Sequence, residues 1–177
     1  TGSHAASAAL LANGMTALST GQAAEFVSSA YPNWANYSRI VSGKTGQLIS
    51  IPVEGIYLLA SLHEDYHSLE NVFGNLGLAY QITNDIKNLT GTDGAARQGG
   101  DVLRQSPNAV VILFRDSLVN GSRQDFDEKF MQGMVCEHTD EKWMQELLIN
   151  GGELAADKIL SLLVEVEKDL NDHEYDL

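Results

Sequence analysis

Basic residues are scarce in this chain: eleven lysines and arginines stand against twenty-four aspartates and glutamates, a formal charge of −13. Sequence-independent nucleic-acid binding needs a cationic surface and is excluded. Docking on anionic lipid is excluded for the same reason. No apolar run approaches the roughly 20 residues of a membrane span. The strongest candidate, AVVILF at Ala109 to Phe114, is short and runs into Arg115 and Asp116. A single cysteine, Cys136, excludes an intramolecular disulfide and a cysteine-rich zinc site, and fits a reducing, cytoplasmic setting. Prolines number only three, so long helices can run with few interruptions.

What is present is helical nearly throughout. Leu10, Leu11, Met15 and Leu18 recur at helical spacing, and the pattern continues past Gly21 to Phe26 and Val27. YPNW at Tyr31 to Trp34 breaks it. Further helices are expected from about Trp34 to Ser50 and from Pro52 to Leu62, the latter apolar on most sides and therefore central. A polar turn, HEDYHS, leads to a long helix from about Leu69 to Leu89. TGTDGAARQGGD, Thr90 to Asp101, is the long loop of the chain, and loops of this length are often functional. Helices resume near Pro107, over Gln124 to Met134, over Asp140 to Asn150 and from about Glu153 to Leu170, with NGG at Asn150 to Gly152 read as a helix stop. The fold class is all-α. With 177 residues, one domain over 5–170 is expected, preceded by TGSH, which reads as an expression-tag remnant, and followed by an acidic tail over 171–177.

Three stretches carry chemistry. In LGLAYQITNDIKNLTG, residues at i, i+4 and i+7 share a helix face, so Gln81, Asp85 and Asn88 line one ridge with Asn84 beside it. One carboxylate among carboxamides is a modest oxygen-ligand set for Mg²⁺. The same residues also suit a solvated helix end or a polar network between buried helices. GMTALSTGQAAEF carries Gly14 and Gly21 inside a helix, with Gln22 and Glu25 following on one face. YSRIVSGKTGQL sets Lys44 and Thr45 between glycines, a pair suited to a phosphate or to simple packing. It lacks the spacing of a P-loop. His63 and His67 lack a third ligand and read as surface residues.

In order, GMTALSTGQAAE, YSRIVSGKT, GLAYQITNDIKN, TGTDGAARQ and GGDVLRQSPNAVVI resemble the trans-isoprenyl diphosphate synthases, the polyprenyl synthetases. That family reads approximately G-Q-x-x-D, then Y-x-x-I-x-x-x-K-T, then F-Q-I-x-D-D-x-x-D, then a glycine-rich loop and G-K-D-L-x-x-G-K-P-T. The resemblance implies an isoprenoid synthase-type helical bundle, of which this chain is the C-terminal part without its N-terminal helices. It implies a prenyltransferase: Mg²⁺ ions held by aspartates bind an allylic prenyl diphosphate, and the allylic cation passes to an acceptor such as isopentenyl diphosphate or a peptide. By position, Asp85, Asn84 and Asn88 fall on metal-binding sites. Lys44, Thr45 and Gln81 fall on catalytic, diphosphate-contacting ones, and Gln22, Glu25 and Asp101 on other motif positions.

The departures are specific. DDxxD has become NDIKN, so two carboxylates are amides. Gly100 and Ser106 stand where the family has lysines, leaving Arg97 and Arg104 as candidate diphosphate-binding replacements. A first aspartate-rich helix is absent from the chain. The pattern is similar to ComQ-like branches that prenylate a peptide and degrade this second motif. It also suits a non-catalytic subunit that pairs with an active synthase, or a helical scaffold without activity. The resemblance implies a homodimer or a heterodimer with a synthase subunit, and inactivity for this chain alone.

Overall fold

The computed structural model describes residues 2–28, 33–60, 69–94, 99–135 and 141–172. Among these residues the fold is all-α. Helix α1 spans Gly2–Val27, so Gly2 to His4 continue its backbone. Asn33 accepts the Asn36 N–H at 2.9 Å and caps α2, Trp34–Val41. A π-helical turn at Ser42–Gly46 then passes straight into α3, Gln47–Leu59. Next come α4 (Glu70–Thr90), the short α5 (Gly100–Leu103), α6 (Ala109–Ser117), α7 (Asn120–Val135) and α8 (Glu141–Glu146). A second π turn, Leu147–Gly151, leads into α9, Gly152–Asp172.

Two expected breaks are therefore filled. Pro52 sits inside α3, exposed, where the loss of one backbone hydrogen bond falls on the solvent side. The NGG at Asn150 to Gly152 does not stop the chain. Gly151 is buried, and a Cβ there would lie 2.8 Å from Val110 Cγ1 and 3.1 Å from the Val110 carbonyl, so this glycine serves close packing on α6 rather than a helix end. The long helix expected from Leu69 to Leu89 is present as α4.

The described residues form two compact units. One lies within 1–27, 38–81 and 159–177, the other within 28–37 and 82–158. In the first, α1 packs along α3 and the π turn. A small core joins Leu69 and Val72 of the α4 end to Val166 of α9, with Tyr57, Phe73 and Leu76 against it. Contrary to expectation, α3 is not central: Leu48, Ile56 and Leu59 are all exposed, as α1 covers one side of it. In the second unit α6 is the buried helix, with Ala109, Val110, Val111, Ile112 and Phe114 withdrawn from water. Phe114, Phe126, Phe130 and Trp143 form an aromatic cluster with ring centroids 5.4 to 6.0 Å apart. Arg115 holds Asp127 of α7 through two parallel hydrogen bonds of 2.7 and 2.8 Å.

Candidate functional site

Four glycines set the geometry of the first unit's site. A Cβ on Gly21 would lie 3.0 Å from the backbone of Gly43 and Lys44, and one on Gly77 would lie 2.7 Å from the Gly46 nitrogen. Backbone meets backbone on both sides of the π turn, α1 against Gly43 and α4 against Gly46. Mid-helix glycines cost about 1 kcal/mol each against alanine, and here they are retained where no side chain fits. The wide turn, a feature common at functional positions, thus holds Lys44 and Thr45 between α1 and α4.

Lys44 Nζ donates to Glu25 Oε2 at 2.7 Å, and Gln22 Nε2 donates to the same oxygen at 2.7 Å. Thr45 is buried and its hydroxyl donates to Gln81 Oε1 at 3.2 Å. Lys44, Thr45, Gln22 and Gln81 line one open groove of about 740 Å³ together with Leu18, Phe26, Leu48 and Tyr80. Gln22, Glu25, Lys44, Thr45 and Gln81, from three separate sequence blocks, thus meet in one place. The apolar wall carries no motif of its own, although Leu18, Gln22, Glu25 and Phe26 follow helical spacing on α1 and Tyr80 adjoins Gln81. Among the described residues that line the groove, Lys44 is the one charged side chain, and it is paired with Glu25.

The second unit holds the other sequence candidates. Asp85 is buried, 1 % exposed. Its Oδ2 accepts the Tyr37 hydroxyl at 2.7 Å and the Ala109 N–H at 2.7 Å. Asn108 is fully buried; its side chain donates to the Asp85 carbonyl and accepts the N–H groups of Val110 and Val111. Asn88 is also buried: its amide donates to Asp93 at 2.9 Å, its carbonyl accepts the Asp101 N–H at 3.0 Å, and its backbone oxygen accepts from Gly99 at 2.8 Å. Asn84 is half-buried and makes no side-chain hydrogen bond among the described residues. Arg104 is exposed and pairs with Asp101 at 2.8 Å. Arg97, like His63, His67 and Cys136, lies outside the described residues.

The sequence model of the polyprenyl synthetases matches residues 3–147. The chain belongs to the polyprenyl synthetase family. Its fold is accordingly the all-α isoprenoid synthase type, and its function is prenyltransferase-like in the broad sense that the family supports, with prenyl diphosphates as the implied substrates. No curated protein matches the chain. No helix among the described residues is long and apolar enough to cross a membrane.

The family is generally magnesium-dependent, so the donor set bears a test. A Mg²⁺ ligand must face open space, because this ion keeps several waters in a tight octahedral shell. Asp85 faces the interior, and the two hydrogens already directed at Oδ2 would repel a cation there. Both ends of the Asn88 carboxamide are engaged. Among the described residues no group of three or more acidic, histidine or cysteine side chains converges. Asp85, Asn84 and Asn88 as placed do not fit a magnesium centre. Of the alternatives open from sequence, Asp85 and Asn88 match the polar network between buried helices, whereas Asn84 takes no side-chain part in it among the described residues.

Proposed function

We propose that the groove lined by Lys44, Thr45, Gln22 and Gln81 binds the diphosphate of an allylic prenyl diphosphate, and that the protein serves prenyl transfer to an acceptor. The observation that carries this reading is the convergence of these polar groups, drawn from three family blocks, against an otherwise apolar wall. Lys44 has three N–H donors, of which one is held by Glu25. The other two can be donated to an incoming anion without loss of that anchor. Charge on a leaving diphosphate is stabilised most by donors fixed in place beforehand, and the Glu25 contact supplies that fixation. Thr45 orients the Gln81 carboxamide at the groove edge. Leu18, Phe26, Leu48 and Tyr80 offer the apolar surface that a prenyl chain would cover.

A second reading has its own observation. Asp85 and Asn88 are committed to internal hydrogen bonds, which favours a subunit that holds prenyl diphosphate while a partner synthase, in a homodimer or heterodimer of the cytoplasm, supplies the carboxylates for magnesium. Isopentenyl diphosphate and a peptide are the two acceptor classes to assay.

Calorimetric titration with a non-hydrolysable farnesyl diphosphate analogue, with and without magnesium chloride, tests the reading. Saturable binding that Lys44→Ala removes is expected. Absence of binding in both conditions would sink it.

A further inference from the structure

The segment from Asn84 to Asn88 has a use of its own that does not involve a metal. Helix α6 begins in the protein interior. The first N–H groups of a helix have no partner within it, and where water cannot reach them each must be met by another acceptor. Asn108 takes two, those of Val110 and Val111, in an extended conformation typical of an N-cap. The Ala109 N–H is met by Asp85 from α4. A carboxylate is favoured at this end of the helix dipole, and the Tyr37 hydroxyl on the same oxygen supplies a second donor in place of water. The Asn108 amide closes the ring by donating to the Asp85 backbone carbonyl.

One turn further along α4, Asn88 does a similar thing for the next backbone segment. Its carbonyl oxygen accepts the Asp101 N–H at the start of α5, and its main-chain oxygen accepts Gly99 N–H. An amide suits this place better than a carboxylate, because its other end donates to Asp93. Aspartate at position 88 would set two carboxylates against each other.

We propose that the NDIKN segment, at the family's metal-binding position, acts in this protein as a backbone-capping element that fixes the starts of α5 and α6, and that it recruits no magnesium. This stands apart from the diphosphate reading, since neither Asp85 nor Asn88 lines the groove. The degeneration of the motif then has a physical direction. At position 88 a carboxylate that a cation would have had to neutralise is replaced by an amide, which satisfies the Asp101 N–H and carries no charge into the interior.

The test is thermal unfolding of the 177-residue chain, followed by circular dichroism, in magnesium chloride and in chelator. The wild type is expected to melt at the same temperature in both. Tyr37→Phe and Asp85→Ala are each expected to lower the melting temperature by several degrees, equally in both media, and the double variant is expected to fall by less than the sum, since both remove the same junction. A magnesium-induced rise in the wild type that Asp85→Asn abolishes would overturn the proposal, and so would strict additivity of the two substitutions. Should Asp85→Ala fail to fold, that loss supports the capping role, and the wild-type and Tyr37→Phe melts still decide whether magnesium acts there.

Discussion

Gly77 of α4 lies against the backbone of Gly46, so close that a methyl group there would sit 2.7 Å from the nitrogen and 2.8 Å from the Cα. Backbone cannot rotate aside. Gly77→Ala is expected to destabilise the fold by about 1–3 kcal/mol, in the range of overpacked sites. It should also weaken diphosphate binding, because the π turn that carries Lys44 must shift. Gly14→Ala makes the contrast: the added methyl meets the end of the Ile51 side chain, which can change rotamer. Relief of the glycine penalty of about 1 kcal/mol then brings that variant near neutral. Urea titration of both variants checks the pair.

The ion pair between Lys44 and Glu25 predicts opposite effects on anion binding. Lys44→Ala removes a charge-assisted contact worth about 1.5–3 kcal/mol and should weaken inorganic diphosphate binding roughly tenfold or more. Glu25→Gln removes a negative charge beside the anion while keeping an acceptor for the lysine. By Coulomb's law at a solvent-facing site this should tighten binding by about threefold to tenfold, more at low salt. Weaker binding by the glutamine variant in isothermal titration would mean that Glu25 serves chiefly to hold the lysine.

Asn108→Ala strips α6 of its own cap in a place water does not reach. Loss of the cap, with the Val110 and Val111 donors left buried, is expected to cost about 2–4 kcal/mol. Chemical denaturation should show this loss, and Asn108→Asp should recover part of it through the retained acceptor.

Restoring the family's carboxylate by Asn88→Asp is expected to lower stability by about 1–2 kcal/mol, through lost hydrogen bonding and repulsion from Asp93 at the distance now bridged by the amide. Pairing it with Asp93→Asn should return most of that loss. A double-mutant cycle by urea titration at neutral pH reads the coupling directly.

Local motifs were legible and long-range partners were not. Gln22, Glu25, Lys44, Thr45 and Gln81 are legible because each sits in a short block with helical spacing; four of them line the groove, and Glu25 joins through Lys44 and Gln22. Asp85 was equally visible as an oxygen donor, but a metal and a backbone N–H make the same demand on such an atom. What separates them is Tyr37, 48 residues earlier, and Ala109, 24 residues later, and no local pattern records those contacts. Gly151 shows the same ambiguity. A glycine before a glycine reads as a helix end, yet close approach to Val110 requires an absent Cβ just as a left-handed turn does. The apolar pattern of α3 suggested a central helix, but periodicity does not say which neighbour is present to cover it, and Leu48, Ile56 and Leu59 are exposed.

The π turn at Ser42–Gly46 acts as a phase shift in an otherwise continuous helical rod. An α-helix advances about 100° per residue, and a π turn accommodates one residue more than the surrounding helix would. Everything from Gln47 to Leu59 is therefore offset by roughly that angle from where an unbroken helix would point it. Deleting one residue within the turn would leave composition and hydropathy almost unchanged. It would nonetheless rotate α3 by a quarter-turn and more, carry Ser50 off its buried side and dissolve the junction that seats Lys44. In this chain a single-residue insertion, rather than any one side chain, keeps Lys44 and the helix after it in register.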